Sequence, residues 1–113
     1  MSTIEKLRFY GADIEDAMTR CLNNEAFYLR LVKMAASDGS LDQLEAALKA
    51  GDWKAAFEKA HAIKGVVTNL ALKPVAGPII ELTERLRPQT ACEYEDLLEE
   101  AQSQWSKLQK CLE

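Results

Sequence analysis

Signals for helix ends recur along the whole chain, and they constrain its fold more than any other feature of the sequence. A hydroxyl residue followed three positions later by Glu or Gln forms the capping-box pattern, which occurs at Ser2 with Glu5, Ser40 with Gln43 and Thr90 with Glu93. Three more side chains suited to cap a helix N-terminus are Asp13, Asn24 and Asp52. Glycines suited to stop a helix, and a proline suited to a first turn, are Gly39, Gly51 and Pro74. No alternation of β-branched residues indicates a strand.

These boundary signals predict seven helices, at residues 3–9, 13–22, 25–37, 41–50, 53–71, 74–87 and 91–112. The longer ones carry apolar stripes at the spacing of one helix face, such as Phe27, Leu31 and Met34. Four longer helices with short connections predict an all-α fold, an antiparallel four-helix bundle with short additional N-terminal helices. Pro78 lies inside the sixth predicted helix and predicts a kink or a delayed helix start near residues 77–79.

Length and charge narrow the class of protein. The chain of 113 residues is expected to form a single domain with one core, residues 1–113. Its formal net charge of −4 argues against nucleic acid and anionic membranes as partners. No apolar run approaches the roughly 20 residues of a membrane span, and the N-terminus lacks an apolar signal segment. We therefore expect a cytoplasmic protein, and a monomer.

The cysteine pattern gives no indication of a metal site. Cys21, Cys92 and Cys111 are an odd number with wide spacing, and the chain has only one histidine to join them. Zinc sites need closely spaced pairs of ligands. The sequence therefore predicts free thiols on helices, no metal and no cofactor.

That one histidine, His61, lies on the fifth predicted helix, and its placement carries the functional prediction. At about 100° of rotation per residue, one face of this helix carries the apolar residues Trp53, Ala56, Phe57, Ala60, Ile63, Val67 and Leu70. His61 projects roughly 120° from the centre of that stripe, so its imidazole should face solvent. Lys64 and Gly65 follow three and four residues later and are its surface neighbours.

Gly65 needs an explanation, because a glycine inside a helix costs about 1 kcal/mol relative to alanine. One explanation is that a large partner must approach the imidazole of His61 there. The alternative is that Gly65 serves close helix packing, that His61 is only a solvated side chain and that Lys64 only extends along the edge of the core.

An exposed imidazole can do one kind of chemistry that fits this pattern. Imidazole changes its charge between about pH 5 and 8, so a neutral fraction is available to attack a phosphoryl group and hold it as a phosphoramidate. The ammonium of Lys64 would partly offset the charge of the phosphoryl oxygens. The chain has no Gly-rich loop or Walker lysine motif to hold a nucleotide. It could therefore carry a phosphoryl group, but it shows no means of extracting one from ATP and is not expected to be an enzyme.

The sequence resembles the histidine phosphotransfer (HPt) domains of bacterial multistep phosphorelays, from about Tyr10 to the last helix. The segments that carry the resemblance are Tyr10–Ala17, Asn24–Leu29, Asp52–Trp53, His61–Gly65 and Asn69–Leu70. The resemblance implies that His61 is phosphorylated on its outward ring nitrogen, Nε2, with Lys64 and Gly65 in the roles given above. It also implies that donor and acceptor are aspartates on receiver domains of response regulators or hybrid histidine kinases. Val66, Ala71 and Pro78 depart from the family pattern.

Two other functions compete with a phosphotransfer module. The chain could be a structural helical interaction bundle whose histidine is incidental. It could also be the excised phosphotransfer domain of a larger hybrid or chemotaxis-type sensor kinase. Gly65 beside an exposed His61 favours phosphotransfer over the purely structural bundle.

Overall fold

The computed structural model describes residues 1–113 and is built from seven α-helices and no strand. The helices are α1 Thr3–Tyr10, α2 Ile14–Arg20, α3 Glu25–Ser37, α4 Ser40–Lys49, α5 Trp53–Asn69, α6 Lys73–Leu86 and α7 Glu95–Cys111. The predicted all-α bundle, with short additional N-terminal helices, is confirmed. None of the helices combines the length and the apolar character needed to cross a bilayer.

Four columns of helix lie side by side in the bundle. Two consecutive helices, α3 and α4, form the first column, and α5, α6 and α7 form the other three. In the first column α3 and α4 follow each other with a break at Asp38 and Gly39, where Gly39 has a φ of +73°. The column packs on α5, which packs on α6, which packs on α7. The amide of Gln102 on α7 donates to Glu45 on α4 at 2.8 Å, and that of Gln109 donates to the carbonyl of Ala36 on α3 at 3.0 Å. Residue numbers rise along α7 from Gln102 to Gln109, whereas those of the residues they bind fall from Glu45 to Ala36. The fourth column, α7, therefore runs antiparallel to the first.

Four of the predicted N-terminal caps are confirmed. At α1, the Ser2 hydroxyl accepts from the Glu5 amide at 3.1 Å and the Glu5 carboxylate accepts from the Ser2 amide at 3.2 Å. The side chains of Asp13, Asn24 and Asp52 likewise each accept a hydrogen bond from the backbone amide three residues later in the chain. Each of these caps acts within its own helix turn, which is why local sequence was sufficient to predict it.

The other two predicted capping boxes are wrong, because other partners take their places. Ser40 is already the first residue of α4, and its amide donates to the Asp38 carboxylate at 2.9 Å. The last helix begins at Glu95, not at residue 91. The segment before it is held by Arg85 on α6, whose guanidinium donates to the carbonyl of Glu93 at 2.9 Å and to the carboxylate of Asp96 at 3.2 Å.

The delayed start predicted from Pro78 is also wrong. Helix α6 begins at Lys73, with Pro74 in its first turn as predicted, and it continues through Pro78. The carbonyl of Leu72 accepts from the amides of Val75 and Ala76, at 3.2 and 2.9 Å, and so starts the helix before Pro78 is reached. The Pro78 ring is buried, and this burial offsets the one backbone hydrogen bond that proline removes.

A single cluster of buried apolar residues draws members from all seven helices. Tyr28 of α3 is fully buried in it, and its hydroxyl donates to the carbonyl of Leu70 at 2.9 Å. Leu70 caps the C-terminus of α5, and the next residue, Ala71, has a φ of +56°. The hydrogen bond therefore anchors the turn between α5 and α6 to the first column. All three cysteines are free thiols, of which only Cys21 is buried.

The contribution of the Tyr28 hydroxyl to stability can be compared with that of a less buried tyrosine hydroxyl. Tyr28→Phe should lower the free energy of unfolding by about 1 kcal/mol, because it leaves a buried carbonyl without its donor. Tyr10→Phe is the matched control. The Tyr10 hydroxyl donates to the carbonyl of Gln104 at 3.2 Å from a half-buried position, where a water molecule can take the place of the hydroxyl. Urea unfolding of both variants measures the difference. Equal losses would contradict the anchoring role.

Candidate functional site

His61 lies on the exposed side of α5, in the middle of the bundle's length. The buried residues of this helix are Ala56, Ala60, Ile63 and Val67. Asp52 caps the helix, with its carboxylate accepting from the Ala55 amide at 3.1 Å. The exposure of His61 is what the rotation of the apolar stripe predicted. A reactant in solvent can therefore reach the imidazole without any opening of the core.

One side of His61 is occupied by an aromatic ring, which in turn carries a cation. The Phe57 ring, one turn earlier on α5, lies with its centroid 5.7 Å from that of the imidazole. The guanidinium carbon of Arg87, which caps the C-terminus of α6, lies 5.3 Å from the centroid of the same Phe57 ring. Phe57 is thus in contact with both the imidazole and a guanidinium, which brings the end of α6 close to the histidine.

A carboxylate on α6 lies among the cations of the site. Glu84 forms a two-point pair with Arg87, with Nε to Oε2 and Nη2 to Oε1 both at 3.0 Å. This guanidinium holds the pKa of the Glu84 carboxyl below its usual range, and the ammonium of Lys64 lowers that pKa further. Lys64 is half-buried on α5. Lys64 makes no ion pair with Glu84 and acts on that carboxylate only at longer range.

Gly65 borders a shallow apolar groove on the other side of His61. The groove runs between α3 and α5 and is lined by Leu31, Met34, Ala35, Asp38, Ala62, Gly65, Val66, Asn69 and Leu70. Met34 and Val66 are large apolar side chains that remain 62% and 40% exposed. A Cβ atom at Gly65 would meet no heavy atom within 4 Å. Helix packing therefore does not require a glycine at this position.

Three side chains were missed in the sequence: Phe57, which contacts His61, and Arg87 with its partner Glu84, where Arg87 lies against the Phe57 ring. Phe57 stands four residues before His61, so helical spacing alone could have indicated the contact. Arg87 and Glu84 lie on a different helix, and their proximity depends on how α6 is placed along α5. No local pattern carries that information. The chain has no group of His, Cys, Asp and Glu side chains arranged to hold a metal ion.

The arrangement suits reversible attachment of an anionic group to the imidazole. A neutral imidazole nitrogen is a nucleophile, and the ammonium of Lys64, three residues on along the helix, can stabilise negative charge on what it binds. His61 is exposed and lines none of the larger surface cavities of the protein.

The absence of packing around Gly65 leads to a stability prediction. Gly65→Ala should raise the free energy of unfolding by up to about 1 kcal/mol, because alanine is the better helix former. Gly77→Ala is the matched control, since Gly77 is also exposed inside a helix and a Cβ there would also meet nothing within 4 Å. Thermal melts should show a gain for both variants. A loss at Gly65 alone would show that the glycine serves packing after all.

Comparison with protein families gives one match, to the model described as Hpt domain, over residues 34–113. The match begins near the end of α3 and covers α4 to α7 completely, including His61, Lys64 and Gly65. Neither a curated protein nor a solved structure matches the chain.

Proposed function

Because the chain belongs to the Hpt domain family, we propose that it accepts a phosphoryl group on His61 from a receiver-domain aspartate and passes it to the aspartate of a second receiver. Histidine phosphotransfer within two-component phosphorelays is the general activity of that family. The observation that carries the assignment to this residue is the placement of the chain's one histidine: it is exposed on α5, with Lys64 beside it and no side chain at Gly65.

The proposed step conserves both charge and atoms. The lone pair of Nε2 on neutral His61 attacks the phosphorus of an aspartyl phosphate, a P–N bond forms and the P–O bond to the aspartate breaks. The aspartate leaves as a carboxylate with the bonding pair, and the imidazole becomes a phosphoimidazolium that can lose its remaining ring proton to water. Lys64 supplies positive charge next to the phosphoryl oxygens. Transfer to the second receiver is the reverse reaction with a different carboxylate.

The groove between α3 and α5 is the surface on which we place the receiver. It adjoins His61 through Ala62 and Gly65, and it presents the exposed side chains of Met34 and Val66. Exposed apolar side chains near a reactive group are typical of protein interaction sites, and methionine adapts to different partners. The partners are thus receiver domains of response regulators or of hybrid histidine kinases, and the chain acts as a cytoplasmic monomer without autokinase activity.

A purely structural bundle would use the same groove but would not need His61. Replacing that side chain separates the two functions. His61→Gln should abolish labelling, both by a receiver charged with labelled acetyl phosphate and by labelled phosphoramidate. Its free energy of unfolding should stay within about ±0.5 kcal/mol of the parent, as is usual for exposed positions.

The parent's label should be lost in acid and retained in alkali, as a phosphoramidate is. Label that persists on the His61→Gln variant, or that resists acid, would contradict the assignment of His61. Labelling of neither protein by any receiver or by phosphoramidate would favour the structural bundle.

The access role of Gly65 has its own test. Gly65→Gln should slow transfer from a receiver by at least about tenfold, because a side chain four residues on lies over the imidazole and a displacement of about 1 Å can cost 10²-fold in rate. Phosphoramidate, which needs no docking surface, should label this variant with much less impairment. Ser103→Gln, at an exposed position on α7, is the control and should leave both rates unchanged. Equal receiver rates for Gly65→Gln and the parent would refute the access role.

A further inference from the structure

A second shallow cavity lies at the end of the bundle where α1 packs on the last turns of α7. Its volume is about 520 Å³, and no residue of α5 lines it. The residues of its lining that matter here, which we call the terminal surface, are Lys6, Phe9, Tyr10, Pro74, Lys107 and Lys110. The terminal surface shares no residue with the groove between α3 and α5 and does not include His61.

Phe9 is the most exposed aromatic side chain of the protein, at 87%. Its exposure follows from the rotation of α1: Leu7 is fully buried, and two residues further along a helix the side chain points about 200° away. A single exposed apolar side chain needs no explanation by itself. Phe9, however, borders an apolar cavity that also has Tyr10 and Pro74 in its lining, so it extends an existing apolar surface.

The lysines of the terminal surface have no carboxylate partner. Each of the protein's ion pairs uses other cations, and Lys6 donates only to the main-chain carbonyl of Glu113, at 3.3 Å. No Asp or Glu side chain lines the cavity. Lys107 and Lys110 also complement the negative end of the α7 dipole, but this does not explain why an exposed aromatic ring lies in the same lining.

The backbone that presents these side chains is held in place. The Tyr10 hydroxyl donates to the carbonyl of Gln104 on α7 at 3.2 Å, and the Cys111 thiol donates to the carbonyl of Lys6 at 3.7 Å. These contacts fix α1 against α7, so the apolar and the cationic parts of the surface keep their relative positions. A surface that is ordered before binding loses less conformational entropy when a partner binds.

We propose that the terminal surface binds an acidic segment of a partner protein, with one bulky apolar side chain of that segment in the cavity beside Phe9. Charge complementarity selects this occupant, because carboxylates flanking the apolar side chain would supply the counter-ions that Lys6, Lys107 and Lys110 lack. The inference goes beyond the proposed function and does not depend on it. A partner bound here would leave His61 and the groove between α3 and α5 uncovered.

The other anionic partners fit these observations less well. Nucleic acid and anionic membranes present extended negative charge, which a chain with a formal net charge of −4 repels outside its few basic positions. A two-fold contact between two copies of the terminal surface would place like-charged lysines against each other. A short acidic segment avoids both penalties.

Selection from a random-peptide display library tests the chemistry of the occupant without assuming its sequence. The library is selected on the 113-residue chain and counter-selected on Phe9→Ser. The enriched peptides should carry several Asp or Glu residues around one bulky apolar residue. Absence of enrichment, or enrichment of peptides without acidic residues, would overturn the proposal.

Fluorescence anisotropy with a labelled peptide from that selection then tests the apolar contact. Phe9→Ser should weaken binding by about tenfold, because the peptide loses the burial of an aromatic side chain. Leu22→Ser is the matched control, since Leu22 is 88% exposed but does not line the cavity. It should leave the affinity unchanged, as should His61→Gln. Equal affinities for Phe9→Ser and Leu22→Ser, or a loss of binding by His61→Gln, would overturn the proposal.

A matched pair of double variants tests the cations. Lys107→Gln combined with Lys110→Gln should weaken binding about fivefold or more, and the loss should shrink in high salt. Lys54→Gln combined with Lys59→Gln removes the same charge from exposed positions on α5 and should have little effect. Equal losses for the two double variants would show that only net charge matters and would overturn the proposal.

The remaining occupants are tested directly with the same variants. Binding of the chain to phosphatidylserine vesicles or to single-stranded DNA, if lost in Phe9→Ser, would assign the surface to a membrane or to nucleic acid instead. Self-association in sedimentation equilibrium that Phe9→Ser abolishes would assign it to a second copy of the chain. We expect none of the three.

Discussion

Burial of one stripe of α5 sets the rotation of that helix about its own axis, and every feature of the candidate site depends on that rotation. The stripe includes Ala60 and Ile63, which stand on either side of His61 in the sequence and are buried while His61 is exposed. A shift of one residue would turn the helix by about 100° and direct the imidazole towards a neighbouring column. The apolar core therefore does more than stabilise the bundle: it aims a reactive group outwards.

The forces that build the scaffold differ from those that act at the site. The end of α5 is held by a buried hydrogen bond from Tyr28, which is shielded from solvent. The charges beside His61 are exposed, as the half-exposed pair of Arg87 and Glu84 shows. Exposed ion pairs contribute little to stability, so they can rearrange without loosening the core. Under the proposed function, a rigid helix beside weakly held charges suits a phosphoryl group that is bound and then released.

How far the sequence predicts this molecule depends on how local each feature is. The caps at Ser2, Asp13, Asn24 and Asp52 and the exposure of His61 follow from spacing within one helix, and they could be predicted. The box at Ser40 failed because the Asp38 carboxylate binds the Ser40 amide, and the box at Thr90 failed because the last helix begins only at Glu95. The pairing of Arg87 with the surroundings of His61 depends on the register between α5 and α6. That register comes from core packing, which no local pattern reveals.

The surface around His61 is open, and this bears on the kind of partner that the site can accommodate. Under the proposed function His61 exchanges a group with two different proteins and must offer the same atom to both, so an enclosing cavity would obstruct it. His61 accordingly stands on a convex helix surface, and the neighbouring groove between α3 and α5 is shallow and apolar. Under the proposed function, selectivity comes from the surface that the receiver domain covers. Met34 and Val66, which are exposed without any packing need within the bundle, are the side chains on that surface best placed to provide it.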